Sequence, residues 1–271
     1  ISADYTVMDE YQDSDELITS PSQTSYYVLF NVNEAPFDDV RVRQAFSMAV
    51  NRDEVASACG SSYEASDFFV AKHLKSSASG KDWAEEVEED PIGFDPDKAK
   101  ELLAEAGYPD GEGFPVVEYL YNTSDAHKAV AEALQYMWEE ELGVKVTLNN
   151  QEWAAFLQTR KDGDYSIARN GWIADYNDPI SFLDMWMTGG GNNDAQYANE
   201  EYDSLIKEAK TTTDVKERME LLHKAEDKII GEDNALAPLY FYTQKYMLAD
   251  GIEGLYYCPL GYFFFGYTHQ A

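Results

Sequence analysis

Apolar residues first concentrate in Tyr26–Val32, where Tyr, Val, Leu and Phe predominate, and this run predicts a buried strand. The next segment has helical spacing, with Asp38 or Asp39 as the N-cap and Gly60 at its end. Residues 61–94 are polar and irregular. The inward face of the predicted helix consists of Val42, Ala45, Phe46, Ala49 and Val50.

Helical and strand periods alternate in the middle of the chain. The predicted elements are a helix from Asp95 to Gly107, a strand at Val116–Tyr121, a helix from Ser124 to Gly143, a strand at Val144–Leu148, a helix over 152–163 and a strand over 164–172. This alternation is typical of βαβ units. It predicts an α/β domain with helices on both faces of a sheet.

The last third is predicted to be helical before it ends in a strand. Helical patterns cover Ile180–Met187, Glu200–Lys210 and Asp214–Gly231, and a strand pattern covers residues 235–248. The tail GLYYCPLGYFFFGYTHQA is strongly aromatic and has no amphipathic period. A short helix is also predicted near Asp82–Glu88, inside the irregular region.

Composition narrows the class of partner. The 271 residues include 51 acidic and 20 basic side chains, a formal net charge of −31. Such a charge repels phosphate backbones and anionic lipid surfaces, so no nucleic-acid partner is expected. The sequence contains no run of about 18 apolar residues, the length that a membrane-spanning helix needs. The two cysteines, Cys59 and Cys258, are far apart in sequence, and their pairing stays open.

The chain lacks the motifs of common catalytic and metal sites. The sequence contains no CxxC, HExxH, GxSxG or complete phosphate-binding loop. We therefore expect no metal, no cofactor and no enzyme activity. The four histidines are isolated in sequence: His73, His127, His223 and His269.

The stretch ARNGWIADYNDPISF contains two acids with different surroundings. Asp178 directly precedes Pro179, which is the chemistry of a helix start. Asp175 needs another role, since the cap is already assigned. It could pair with a buried basic residue such as Arg169, or it could hold a cationic ligand at the strand end, where α/β folds bind ligands.

Several long segments resemble the oligopeptide-binding proteins of ABC importers, in the extracytoplasmic solute-binding family 5. The resemblance runs from about Tyr26 to the end of the chain. The segments that carry it are PFDDVRVRQAFSMAVNRDEV, GFDPDKAKELLAEAGYPDG, YNTSDAHK, NNQEWAAFLQTRKDGDYSIARNGWIADYNDPISFL and APLYFYTQKYML.

The resemblance implies a periplasmic-binding-protein-like class II fold with a mixed sheet. Members of this family are about twice as long and have two lobes that close over the ligand. The resemblance divides the chain into a crossover (1–25), the C-terminal, peptide-binding lobe (26–243) and a segment returning to the other lobe (244–271). The other lobe, a signal peptide and any lipid-bearing cysteine are expected to lie outside this chain.

The resemblance also implies roles for individual residues. The aspartate of the GWxADY motif, here Asp175, pairs with the α-ammonium group of the peptide. The main chain of Gly171 and Ile173 adds the peptide as a strand. Further matching positions that line side-chain pockets or the polar parts of the ligand site are Trp153, Trp172, Asn122, His127, Arg160 and Arg169.

The resemblance leaves some alternatives open. Arg160, Lys161 and Arg169 form a local basic cluster, and Arg160 and Lys161 could equally neutralise nearby acids. Ile173 occupies a position where some relatives carry a cysteine. The implied protein is a monomeric extracytoplasmic receptor, periplasmic or a surface lipoprotein, that delivers oligopeptides to importer membrane subunits. Dipeptides, nickel chelates or sugars are the alternative ligands, and a hydrolase or a peptide chaperone is the alternative function.

Overall fold

The structure is a computed structural model that describes residues 11, 14, 16–59, 63–87 and 91–271. Strands and helices alternate through most of this length. The strands are β1 (Leu17–Phe30), β2 (Glu64–Ala65), β3 (Val117–Asn122), β4 (Val146–Gln151), β5 (Ile167–Ile173), β6 (Leu236–Met247), β7 (Ile252–Glu253), β8 (Tyr256–Cys258), β9 (Tyr262–Phe264) and β10 (His269–Gln270).

Most of the helices begin at a residue suited to capping. Asp39, Asn51 and Asp95 each accept a main-chain hydrogen bond at a helix N-terminus. The helices are α1 (Val40–Met48), α2 (Arg52–Ala58), α3 (Pro96–Glu105), α4 (Asp125–Leu142), α5 (Trp153–Asp162), α6 (Ile180–Leu183), α7 (Glu200–Thr211) and α8 (Val215–Glu226).

Six strands form one mixed sheet in the order β2-β6-β1-β5-β3-β4. The strands β5, β3 and β4 are parallel, whereas β1 is antiparallel to both of its neighbours, β5 and β6. The helices α4 and α5 connect the parallel strands as βαβ crossovers. The predicted α/β class with a mixed sheet is confirmed.

Each face of the sheet has its own hydrophobic core. Alternate residues of β1 point to opposite faces, so Tyr26 lies in one core and Tyr27 in the other. The Tyr26 side packs against α1, α2 and α4, where the Trp138 indole donates a 2.8 Å hydrogen bond to the Phe46 carbonyl. The opposite side packs against α5, α7 and α8. Helices therefore cover both faces, as predicted.

Close packing of two turns requires glycine at the end of α4. Gly143 has φ of +65°, which favours glycine, and a Cβ there would lie 2.5 Å from the Asp110 carbonyl oxygen. The helix thus ends where its C-terminus meets the turn before β3. Gly143 was the end predicted from sequence.

Two predicted boundaries near the N-terminus are wrong. The strand predicted at Tyr26–Val32 begins at Leu17, because its first half pairs with β6 although it lacks a continuous apolar run. The single helix predicted up to Gly60 is two helices. Asn51 adopts an extended conformation and its side chain accepts the Glu54 N–H, which starts α2.

Later segments also differ in detail. The helix predicted at Ile180–Met187 is α6 followed by a 3₁₀ turn, and the helix predicted to reach Gly231 continues beyond α8 as a π-helical turn, Asp227–Glu232. The short helix predicted at residues 82–88 is a 3₁₀ turn at Trp83–Glu86, and residue 88 lies outside the described residues. The aromatic tail forms two small antiparallel pairs, β7 with β10 and β8 with β9.

The two cysteines are unpaired in this structure. Cys59 is buried at the end of α2, and its thiol donates to the Val55 carbonyl at 3.1 Å. Burial raises the pKa of the Cys59 thiol to about 11, which keeps it protonated at neutral pH. Cys258 is half-buried in β8.

A buried carboxyl group organises the side of the sheet that faces α8. Glu226 is only 2% exposed, and its Oε1 accepts hydrogen bonds from the main-chain N–H groups of Phe69 and Val70 at 2.9 and 2.7 Å. Its Oε2 accepts from the Trp83 indole. Burial raises the pKa of Glu226 to about 7, although these donors act in the opposite direction.

We expect this raised pKa to make stability depend on pH. The native state retains a proton that the unfolded state has already released, so this stability is full below about pH 4.5 and is lost as the pH rises through about 7. Over that range the free energy of unfolding should fall by on the order of 2–3 kcal/mol relative to Glu226→Gln, which does not titrate. Urea unfolding at several pH values measures this difference.

Exposed Glu217, on the same helix, supplies the control, since Glu217→Gln should unfold in parallel with the unaltered protein at every pH. A constant gap between the unaltered protein and Glu226→Gln from pH 5 to 7.5 would contradict a raised pKa at Glu226.

Candidate functional site

The carboxyl ends of the three parallel strands meet at one edge of the sheet. The strands β3, β4 and β5 end at Asn122, Gln151 and Ile173. Since ligands of open α/β sheets bind beyond these ends, the edge is the candidate site. It brings together Asn122, Trp153 at the start of α5, and the segment from Gly171 to Asp175.

The strand β5 is paired along only part of one edge. On the β1 side, pairing is continuous from Phe30↔Ile167 to Thr24↔Ile173. On the β3 side, it covers only Tyr119↔Ile167 and Leu120↔Ala168. Residues 169–173 therefore have no strand partner on that side among the described residues.

The main-chain groups of Gly171 and Ile173 face this open edge. In an antiparallel pair, successive residues direct their N–H and C=O groups to opposite sides. The N–H of Ala174 donates to the Gln23 carbonyl at 3.0 Å, on the β1 side, so Gly171 and Ile173 face away from β1. The Gly171 N–H donates to Asn170 Oδ1 at 2.8 Å.

Asp175 follows this strand with its side chain exposed. Its main-chain N–H donates to Ser181 Oγ at 2.9 Å, which ties the loop to α6. Its carboxylate has no hydrogen-bond or ion-pair partner among the residues that the structure describes. The ion pair with Arg169, one of the two roles considered from sequence, does not form.

Asp178 starts α6 and also forms an ion pair. Its Oδ1 accepts the Ile180 N–H at 3.0 Å, which agrees with the predicted cap. Its carboxylate also receives two hydrogen bonds from the Arg218 guanidinium, at 2.8 and 3.0 Å. The pairing with Arg218, 40 residues away, was not predicted because no local pattern indicates it.

Tyr26 joins two of the predicted polar residues. The Arg169 guanidinium carbon lies 5.2 Å from the centre of the Tyr26 ring, and the His127 ring lies 5.5 Å from it. Arg169 is 8% exposed, and no carboxylate among the described residues pairs with it. Burial first, and then the Arg169 charge, lower the pKa of His127 to about 3, so His127 is neutral at physiological pH.

Beside this cluster, three polar atoms have no hydrogen-bond partner among the described protein atoms: Asn122 Oδ1, His127 Nδ1 and Arg169 Nε. The Tyr26 hydroxyl, by contrast, interacts with the Tyr119 hydroxyl and the Arg169 guanidinium. Buried polar groups are normally paired, so an unpaired set beside a positive charge is suited to an anionic or hydrogen-bonding group of a ligand.

Arg160 occupies a different environment. Its Nε donates to Asp194 at 2.8 Å and its NH1 donates to Asn170 Oδ1 at 2.7 Å. Arg160 thus has a partly buried acidic partner, in line with the alternative that it neutralises a nearby acid, while the neighbouring Lys161 is exposed. Through Asn170, Arg160 also supports the Gly171 main chain.

The two predicted tryptophans differ in exposure. Trp172 is half-buried against the core, and its indole donates to the Ser181 carbonyl at 2.7 Å. Trp153 is 52% exposed and stacks on Phe156 with ring centres 5.8 Å apart. Trp153 therefore offers free aromatic surface at the edge, whereas Trp172 supports the loop.

Sequence reasoning missed the residues that support the site. Gln23, Asn170 and Ser181 each hydrogen-bond the segment from Gly171 to Asn177. Asn170 and Ser181 lie inside the quoted stretch, but amide and hydroxyl side chains in a loop do not by themselves indicate a contact. Gln23 lies about 150 residues away in sequence, and only the β1–β5 pairing brings it close.

The described ranges contain no group of three His, Cys, Asp or Glu side chains that could hold a metal ion. In the same part of the chain, no helix has the length and hydropathy needed to cross a membrane.

Comparison with known proteins identifies relatives along most of the chain. Dipeptide-binding protein DppE of Bacillus subtilis is 34% identical, with 94% of this chain and 47% of the relative aligned. Periplasmic oligopeptide-binding protein OppA of Salmonella typhimurium is 36% identical, with 88% and 43% aligned. This chain therefore spans about half the length of these relatives.

A solved structure supports the same relationship. The substrate-binding domain of an oligopeptide ABC transporter from Bacillus anthracis superposes with a TM-score of 0.88 at 26% identity, over 97% of this chain and 52% of that one. The relatives are named as binding proteins rather than enzymes. The model of the bacterial extracellular solute-binding proteins, family 5, matches residues 2–194. The chain belongs to this family.

Proposed function

We propose that the protein of which this chain is part captures oligopeptides outside the cytoplasm and delivers them to the membrane subunits of an ABC importer. The observation that carries this proposal is the exposed, unpaired Asp175 carboxylate beyond the open edge of β5. An anion beside a strand edge that no other strand covers suits the two features that every peptide shares, an ammonium group and a backbone.

Asp175 is the proposed partner of the peptide's α-ammonium group. The nearest candidate cation in sequence, Arg169, is already placed against Tyr26. An ammonium group that enters a closing, water-poor cleft gains strongly from a carboxylate, because the lower dielectric constant strengthens their attraction.

The open edge of β5 is the proposed site of main-chain recognition. Gly171 and Ile173 would exchange hydrogen bonds with the peptide as an added strand, which ignores the identity of the peptide side chains. Exposed Trp153 would line a pocket for one side chain, and Trp172 would form the supported wall of another. Broad sequence tolerance follows from this arrangement.

The group formed by Arg169, Tyr26 and His127, called here the Arg169 cluster, is the proposed site for the other end of the ligand. A buried guanidinium without a carboxylate partner suits the C-terminal carboxylate of a peptide. Neutral His127 and the Asn122 amide would complete its hydrogen bonds. Arg160 would not contact the ligand, since its guanidinium is paired with Asp194. It would instead hold the Asn170 side chain in place through a hydrogen bond.

We also propose that the chain forms one of two lobes, because it spans only about half the length of its relatives. Residues 26–243 would form one lobe, and residues 1–25 and 244–271 would connect it with a second lobe. Exposed aromatic side chains in the tail, including Phe265 at 67% and Tyr267 at 83%, would be covered there. The receptor would be a monomer without nucleic-acid partners, periplasmic or anchored by lipid.

Ligand length is the main open alternative within this function. One relative is named for dipeptides and another for oligopeptides, and both exceed 30% identity to this chain. Calorimetry of the full-length protein with peptides of two to eight residues distinguishes them. Nickel chelates and sugars serve as competitors, and affinity for these ligands alone would contradict peptide capture.

Replacing the proposed anchor should weaken peptide binding. In the full-length protein, we expect Asp175→Asn to lower the affinity for free peptides about tenfold or more, because the ammonium group loses its charged partner. N-acetylated peptides should bind the unaltered protein with a similar loss and should be insensitive to the substitution. Isothermal calorimetry measures both affinities.

Asp97→Asn removes the same charge from an exposed position of α3, away from the edge, and so controls for the general effect of net charge. Equal affinities of the unaltered protein and Asp175→Asn for free peptides would contradict the ammonium assignment.

Blocking the other end of the ligand tests the Arg169 cluster. C-amidated peptides should bind the unaltered protein several-fold more weakly than free acids, because a neutral amide lacks the negative charge with which a carboxylate pairs with the Arg169 guanidinium. In Arg169→Met the two forms should bind alike, with circular dichroism confirming that the variant folds. A preference for the free acid that survives in folded Arg169→Met would exclude this role.

A further inference from the structure

Gln23 makes three contacts that join otherwise separate parts of the chain. Its N–H donates to the Pro259 carbonyl at 2.8 Å, and its carbonyl accepts the Ala174 N–H at 3.0 Å. Its side-chain Nε2 donates to Asn177 Oδ1 at 2.5 Å. One residue of β1 is therefore bound both to the tail and to the loop that carries Asp175.

The contacts of Gln23 lie on both sides of Asp175. Ala174 directly precedes Asp175 and is buried, while Asn177 follows it by two residues. The loop is also held at Asp178 by Arg218. The carboxylate of Asp175 thus projects from a short segment whose two ends are fixed. Within this segment, the Asn177 contact with Gln23 adds to the hydrogen bonds from the Asp175 N–H to Ser181 Oγ and from the Asp178 N–H to the Tyr176 carbonyl.

Gln23 lies where the β1–β6 ladder is interrupted. Pairing shifts between Pro21 and Ser25, so Gln23 has no β6 partner and bonds instead to Pro259, in the turn between β8 and β9. The same turn lies over Ile173, since a Cβ on Gly261 would be 2.8 Å from the Ile173 Cδ1. The tail, Gln23 and the end of β5 form one continuous set of contacts.

We propose that Gln23 is a positioning residue for the Asp175 carboxylate and connects the turn between β8 and β9 to the loop that carries Asp175. The proposal rests on the function assigned above to Asp175. A charge-assisted hydrogen bond depends on the placement of both groups, so a loop held at Asn177 keeps the carboxylate where an ammonium group can use it. Gln23 would thereby set the discrimination between free and blocked peptide amino termini.

The test removes the same hydrogen bond from either side in the full-length protein. Gln23→Met keeps the length of the side chain, Asn177→Ala removes the acceptor, and the double variant combines them. The measured quantity is the dissociation constant for an N-acetylated peptide divided by that for the free peptide. Gln44→Met, which removes a glutamine side-chain contact on distant α1, is the control.

We expect each single variant to lower this ratio about three- to tenfold, the factor corresponding to one lost hydrogen bond. The double variant should lower it no further, because both substitutions remove one interaction, and Gln44→Met should leave it unchanged. An unchanged ratio in Gln23→Met, an equal loss of affinity for both peptides, or additive effects in the double variant would overturn the proposal.

Amide hydrogen exchange separates this proposal from the function on which it rests. If Asp175→Asn leaves the ratio at the unaltered value, the ammonium assignment fails, and exchange in the ligand-free protein decides the role of Gln23. Faster exchange at residues 175–177 in Gln23→Met then supports positioning of the loop, and unchanged exchange overturns it.

Discussion

The antiparallel pairing of β1 with β5 determines which main-chain groups remain available at the carboxyl edge of the sheet. It occupies one side of β5 as far as Ile173 and, through Gln23, continues to Ala174. The opposite side is left open beyond Ala168, where β3 no longer pairs. Both the direction of the Gly171 and Ile173 main chain and the placement of the loop with Asp175 depend on this asymmetry.

The candidate site has a buried positive charge at Arg169 and an exposed negative charge at Asp175. The chain has 51 acidic residues, yet none of those described pairs with Arg169, which lies in the Tyr26 core. Asp175 is an exposed anion with which no described cation pairs, although Arg169 lies on β5, the strand that leads to Asp175. Because Arg169 and Asp175 do not neutralise each other, each retains the charge that we propose for pairing with one end of the ligand. A peptide carries complementary charges at its two ends.

Local sequence signals predicted most elements and several of their ends. The pattern of strands and helices between Asp95 and Ile173 was correct in order and type because each helix there has a clear start and a glycine near its end. The errors occur where a tertiary contact or a single side chain decides the outcome. Asn51 divides one predicted helix in two, and pairing with β6 extends β1 to Leu17, which no apolar run indicates.

At the candidate site, too, local sequence signals predicted some features and tertiary contacts decided the others. The sequence was sufficient to separate Asp178, as the start of a helix, from Asp175, whose role it left between an ion pair and a cationic ligand, because capping depends on neighbours along the chain. Only the tertiary structure decided that Arg169 faces Tyr26 rather than Asp175, that Arg160 pairs with Asp194, and that Gln23 reaches Asn177. Strand pairing and burial, which depend on residues distant in sequence, decide these contacts, and local spacing does not contain that information.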